Sequence, residues 1–102
     1  MEIKDEHLIC SNPECDSEFM HPVYVQVKHA GKKGQSVSVD SGGVWMHQGI
    51  SMKDRGTKIN MVFWCEWCHE HTEVEFLFHK GSTLVMDRIT PDTYSSDTVW
   101  RD

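Results

Sequence analysis

The chain has 102 residues, a mass of 11.8 kDa and a formal net charge of -6, which fits one domain burying about 60% of its unfolded surface or slightly more. With 38% apolar and 25% charged residues the core is thin, and small domains of this kind often add a metal or disulfides to fold. No run approaches the roughly 18 apolar residues of a membrane-spanning helix, so no membrane association is expected, and the acid excess opposes binding to nucleic acid by bulk charge.

The start, "MEIKDEHLIC", is charged from its second residue and has no apolar stretch of the secretory type. A cytoplasmic location is therefore expected, where thiols stay reduced and spaced cysteines more often bind metal than form structural disulfides. Next comes "CSNPECD", which reads as an exposed turn carrying two cysteines. "VYVQVKH" alternates Val23, Val25 and Val27 with Tyr24, Gln26 and Lys28, the period of a half-buried strand. "AGKKGQ" is a turn, and "SVSVD" and "VWMHQ" are short strands joined by "SGG", whose glycines permit the positive φ of a tight hairpin.

"GISMKDRG" is turn-rich and leads into "TKINMVFWC", where Ile59, Met61 and Phe63 alternate with Asn60, Val62 and Trp64. After a second cysteine pair, "TEVEFLFHK" sets Val74, Phe76 and Phe78 against Glu73, Glu75, Leu77 and His79. Gly81-Ser82 is the expected two-residue loop into the last strand, "TLVMDRI". Sustained helical periodicity is missing, so the expected fold is all-β, a small antiparallel sheet in one domain over residues 1–89. Residues 90–102, rich in Asp, Ser and Thr, are expected to form a loosely ordered acidic tail with Trp100 near its end. Of Trp45, Trp64 and Trp67, at least two are expected to serve the core.

All four cysteines fall in two pairs, Cys10-x4-Cys15 and Cys65-x2-Cys68, separated by a 49-residue insertion. Each short loop can turn back to offer two thiolates, which is what a tetrahedral four-sulfur site needs. Zinc suits such a set because it is redox-inert and favours tetrahedral sulfur; iron in a rubredoxin-like site is the alternative metal. His69 and His71 directly follow the second pair, and His7 and His21 flank the first, so a site of three cysteines and one histidine stays open. The expected role of His69 and His71 is hydrogen bonding around the ligands.

"WCEWC" has the outline of a thioredoxin-type redox pair, but that chemistry places its first cysteine at a helix N-terminus, and "HEHTEVEFLFHK" has strand periodicity instead. A hydrolytic zinc site keeps an open coordination position, which four cysteines close, and the H-E-x-x-H pattern does not occur. The chain is expected not to be an enzyme. Between Lys28 and Lys58, six basic residues (Lys28, Lys32, Lys33, Lys53, Arg55 and Lys58) stand against two acids, a cationic middle in an anionic frame.

The paired cysteine knuckles on a β-rich frame resemble the zinc-ribbon class, in which two cysteine loops clamp one zinc at the edge of a small antiparallel sheet. More narrowly, "HLICSNPEC", "RGTKINMVFWCEWC" and "HKGSTLV" resemble segments of small uncharacterised bacterial and phage proteins, over roughly Glu6 to Val85. The resemblance implies Zn2+ ligands at Cys10, Cys15, Cys65 and Cys68 and brings no activity with it. The chain departs from the commonest ribbon in the longer first spacer and in lacking a glycine after either pair. The functional expectation is a binding module with structural zinc that contacts a protein partner. The alternative is a nucleic-acid-binding ribbon using the basic 28–58 loops.

Overall fold

A computed structural model describes residues 3–29, 35–48, 56–90, 94 and 99. Among these residues eight strands form: β1 (Ile3–Lys4), β2 (His7–Leu8), β3 (Met20–His29), β4 (Gln35–Asp40), β5 (Gly43–Gln48), β6 (Thr57–Cys65), β7 (His71–His79) and β8 (Ser82–Ile89). The all-β antiparallel expectation holds. β3 to β8 make one sheet in the order β5-β4-β3-β6-β7-β8, every neighbouring pair antiparallel. Three consecutive strands followed by a fourth that returns beside the first is a Greek key, here β3-β4-β5 and then β6. The return places β3 and β6, the two strands that lead from and into the cysteine turns, side by side at the sheet centre.

The alternation read from the sequence sets the two faces. Through the register, Val25, Val27, Val37, Val39, Val44, Met46, Ile59, Met61, Phe63, Val74, Phe76, Phe78 and Val85 fall on one face. On the other lie Tyr24, Gln26, Lys28, Ser36, Ser38, Asp40, Lys58, Asn60, Glu73, Glu75 and Arg88, with Val62, Trp64 and Leu77 among them. Lys58 reaches Glu75 across the β6–β7 pair at 2.7 Å, and Arg88 reaches the buried Glu73 at 3.3 Å. Such cross-strand pairs reinforce the register, since a one-residue slip would carry the charges to the apolar face.

A two-stranded hairpin, β1–β2, was not legible in the charged N-terminal residues. Its turn places Asp5 and Glu6 at φ 49° and 68°. Ile3 and Leu8 line, with Met61, Phe63, Val74 and Phe76, an apolar gap of about 200 Å3 between the hairpin and the β6–β7 part of the sheet. The last hairpin turns one residue earlier than the sequence suggested. Lys80 and Gly81 form the loop, with φ 50° and 80°, and Ser82 already pairs with His79. Two consecutive positive φ values match the twist of the flanking strands, as in a type I′ turn.

β3 carries a bulge at Val23, between the Pro22–Phe63 and Tyr24–Val62 pairs. Pro22 is tolerated there because β4 pairs with β3 only from Val25 onward, so no second neighbour needs its missing N–H. Its carbonyl accepts the N–H of Val99 at 2.8 Å, and the Tyr94 ring lies 5.5 Å from that of Tyr24 and 6.0 Å from that of His71. Thr90 donates its N–H to the His71 carbonyl at 3.0 Å, so the three described residues of the 90–102 segment lie against β3 and β7. Among the described residues few apolar ones are buried: Ile9, Cys10, Val23, Val62, Cys65 and Val74. Among the described residues no helix is long and apolar enough to cross a membrane.

Candidate metal centre

The two cysteine pairs sit at one end of the central strands, Cys10 and Cys15 between β2 and β3, Cys65 as the last residue of β6 and Cys68 in the turn between β6 and β7. In the first turn Asn12 organises the backbone. Its side-chain Oδ1 accepts the Glu14 N–H at 3.0 Å, and its carbonyl accepts the N–H groups of Cys15 and Asp16 at 3.0 and 3.3 Å. An Asx turn of this kind explains Asn at that position and lets Pro13 follow. In the second, His69 N–H returns to the Cys65 carbonyl and Cys65 N–H to the Glu70 carbonyl, both at 3.0 Å.

Each turn leaves its second cysteine through a left-handed residue, Asp16 at φ 52° and His69 at φ 63°. That is where a glycine would carry no steric cost, and it accounts for how this chain manages without one. Asp tolerates the conformation better than most residues. His69 is held by stacking on Trp64, with ring centroids 5.4 Å apart and planes 13° from parallel. The turns are joined directly by Glu66 N–H to the Phe19 carbonyl at 3.1 Å, and Cys10 N–H closes onto the Ser17 carbonyl at 2.9 Å. Beside Cys10, Ser11 donates its N–H to Thr72 Oγ1 at 3.3 Å and its hydroxyl to Asp87 Oδ2 at 2.9 Å, fixing the first turn to β7 and β8.

The result is a cluster in which the sulfurs of Cys10, Cys15, Cys65 and Cys68 all lie within 4.8 Å of one another. The shortest approaches cross between the turns, Cys10 to Cys68 at 3.7 Å and Cys15 to Cys65 at 3.6 Å. A disulfide needs about 2.05 Å, and all four thiols are free. Zinc bound by four sulfurs at about 2.3 Å each would space them by about 3.8 Å along the tetrahedron's edges. The donor set and spacing fit such an ion, and the four cysteines could hold one.

The electrostatics fit as well. Burial pushes the Cys10 thiol up to about 12, helped by the thiols of Cys68 and Cys65 and opposed by the Asn12 N–H. For Cys65, burial pushes upward too, but the N–H groups of Cys68 and Trp67 and the thiols of Cys15 and Cys68 bring it down to about 7. Cys15 has the Ser17 N–H to lower its pKa, yet burial and the neighbouring Cys65 leave it raised. One thiolate is stabilised and further ones are opposed, because like charges this close repel. A divalent cation would remove that opposition, and Cys10, Cys15, Cys65 and Cys68 could then hold it as four thiolates.

His69 is exposed and outside β7, whereas His71 opens that strand opposite Trp64. Its Nε2 is buried without a hydrogen-bond partner among the described residues. His21 lies 3.9 Å from Glu66 and beside Trp64. The tryptophans depart from expectation. Of the three described, only Trp64 is substantially covered, while Trp67 is 70% exposed, stacked on a Phe19 that is itself 48% exposed, and Trp45 on the edge strand is 51% exposed. Alternation in β6 could have marked Trp64, but the turn that tips Trp67 outward leaves no periodic signal.

Of the basic residues, Lys28 and Lys58 sit opposite one another on β3 and β6. Lys32, Lys33, Lys53 and Arg55 lie outside the described residues, as does Trp100. Comparison of the chain with protein-family models, with curated proteins and with solved structures finds no match.

Proposed function

We propose that this chain is a non-enzymatic binding module whose two cysteine turns are clamped by one structural Zn2+, in the manner of a zinc ribbon, and that it acts through contact with another protein. The observation that carries the reading is the four-sulfur cluster itself. Four thiolates fill a tetrahedral sphere and leave no position for substrate or water, which supports a structural role over catalysis. The ion would make a rigid tip of two turns that otherwise hold only a few hydrogen bonds.

On that tip stand Phe19 and Trp67, stacked with ring centroids 6.4 Å apart and largely open to solvent. Exposed aromatic anchors on a rigid platform are the typical centre of a protein contact. The nucleic-acid reading has weaker support, because Lys58 is already paired with Glu75 and the net charge is -6.

X-ray absorption with elemental analysis of freshly purified protein tests the clamp, with four sulfurs around one zinc expected. Nitrogen or oxygen ligands, or an open position, would return attention to His69 and His71. The contact is tested by comparing partners recovered with the wild type and with Trp67→Ala at equal zinc content. A partner lost selectively with the variant supports the reading, and an unchanged set refutes a role for this tip.

A further inference from the structure

On the polar face of the sheet, toward β5, lies a cleft of about 590 Å3, within the range of about 300–1,000 Å3 typical of small-ligand sites. Three aromatic side chains line it, Tyr24 from β3, Trp45 from β5 and Tyr94 from the C-terminal segment. Asp40 ends β4, the strand between β3 and β5, and so stands between Tyr24 and Trp45. Its Oδ1 accepts the Gly42 N–H at 2.7 Å, which shapes the β4–β5 turn, and the Trp45 indole N–H at 3.4 Å. Among the described residues both bonds to this carboxylate end on Oδ1, which leaves Oδ2 to a further donor. Tyr24 senses the same carboxylate from the other side: burial raises the pKa of its hydroxyl, Ser38 opposes the shift and the Asp40 charge adds to it. The Tyr24 and Tyr94 rings lie 5.5 Å apart, so the wall on the β3 side is built of two rings. Asn60 also lines the cleft, and its buried Oδ1 has no hydrogen-bond partner among the described residues.

We infer that this cleft binds an organic cation of the protonated-amine class, with its ammonium group at Asp40 and its carbon skeleton between the Trp45 and Tyr24 rings. Charge decides against the other classes of ligand. Among the described residues the lining carries one carboxylate and no Lys or Arg, so a phosphate or carboxylate ligand would meet Asp40 with nothing to neutralise it, on a chain of net charge -6. A neutral sugar could stack on the rings, but it would take the Asp40 charge out of water without a counter-charge. A cation is attracted to a ring face within about 6 Å of its centroid, and the same group can give the carboxylate a charge-assisted hydrogen bond. Asp40 Oδ2 and Asn60 Oδ1 are both acceptors, and an ammonium with N–H groups supplies donors that a quaternary nitrogen lacks. A free amine and a lysine side chain of another protein present the same group. The cleft includes neither Phe19 nor Trp67, and the inference does not depend on what that tip binds.

Nuclear magnetic resonance of the isotope-labelled, zinc-loaded full chain tests it, by titration at neutral pH and constant ionic strength with n-butylammonium and with Nα-acetyl-lysine methylamide. The Trp45 indole N–H and the Gly42 amide should shift saturably at millimolar concentrations. Tighter binding of the lysine derivative supports a protein side chain as the natural source, and tighter binding of butylammonium supports a free amine. The neutral counterparts, n-butanol and the Nε-acetylated lysine derivative, and glucose should give no saturable shift. Asp40→Asn keeps an oxygen for the Gly42 N–H, so the circular dichroism spectrum and zinc content should stay unchanged while both amines bind about 10-fold more weakly or worse. Glu14→Gln removes an equal charge from an exposed site at the cysteine turns and should leave amine binding as it is. If Asp40→Asn does not fold, Trp45→Leu, at a half-exposed position on the edge strand, serves as the second probe and should weaken binding read at the Gly42 amide. No saturable shift with either amine, equal shifts with the neutral counterparts or glucose, or undiminished affinity in the cleft variants overturns the inference.

Discussion

Removal of the metal is the perturbation that reaches furthest into this fold. Structural zinc sites contribute about 10–16 kcal/mol of binding free energy near neutral pH, whereas a domain of this length has a total margin of about 5–15 kcal/mol. Few buried side chains stand in reserve: of the six buried apolar residues among those described, two, Cys10 and Cys65, are themselves in the cluster. The turns that meet there come from far apart in sequence, 58 residues for Cys10 and Cys68 and 50 for Cys15 and Cys65. Closing a loop of that length costs about 4 kcal/mol of chain entropy. Without the ion, Cys10 and Cys15 return to raised pKa values and the knuckles keep only backbone links such as Glu66 to Phe19. Chelation under reducing conditions, followed by scanning calorimetry and circular dichroism, should therefore abolish the transition or lower it by more than about 20 °C, since 1 kcal/mol moves Tm by about 4–8 °C at this size. A metal-free sample, verified by elemental analysis, whose Tm stays within about 2 °C of the loaded protein would refute the reasoning and make the cluster incidental to the fold.

Asp16→Gly relieves the left-handed position after the first cysteine pair, and urea unfolding of the zinc-loaded protein should show a gain of about 0.5 kcal/mol. His69→Gly should gain less or lose, because it also removes the stack on Trp64. Thr72→Val keeps the shape of a fully buried side chain but strips the acceptor of the Ser11 N–H, with an expected loss of about 1–2 kcal/mol by the same measurement. In metal-free protein the folded-state pKa of Cys65 is lowered from 9.0 to about 7. Its contribution is present above the unfolded value near 9 and is lost as pH falls through about 7, while the raised Cys10 acts oppositely, favouring unfolding as pH rises from 9 toward 12. Residual structure in the apo protein, followed by circular dichroism against pH, should accordingly peak between those limits; a monotonic profile would refute the assignment.

β3, β6 and β7 were readable because their residues alternate, and alternation is fixed by the period of the pleat, while β4, β5 and β8 were marked by β-branched and apolar residues next to glycine-containing turns. "INMVFW" and "VEFLF" declare which residues share a face, but not which face is buried: Val62 and Glu73 are buried on the side opposite Met61 and Val74, and Phe78 is exposed. The cysteine spacing was readable for a similar reason: a two- or four-residue spacer constrains a turn tightly enough that the donor set survives without knowledge of the frame. What escaped was tertiary in origin. β1 and β2 have two residues each and form because Ile3 and Leu8 find the apolar face below them. The turn at Lys80-Gly81 was displaced by one residue since both Lys80 and Gly81 adopt positive φ, and lysine gives no warning of that. The exposure of Trp45 and Trp67 also could not be read from composition, because it depends on β5 being an edge strand and on Trp67 lying in the turn rather than in β6.

The clamp holds one end of the sheet, and this gives a prediction about where the fold opens. β6 and β7 run directly into the cysteine turns, whereas among the described residues β4 and β5 join the rest of the sheet through the five-pair ladder with β3. Local opening is governed by how many buried contacts an element has, and the residues of β5 from Val44 to His47 are all exposed. Amides of 35–48 should therefore exchange quickly even with zinc bound, while those of 57–79 stay protected until a chelator releases the cysteine turns. Hydrogen exchange resolved by peptide, with and without chelator at one protein concentration, checks this. Equal protection of both segments with zinc bound, followed by their simultaneous loss on chelation, would mean that the sheet opens as one cooperative unit and would refute the reasoning.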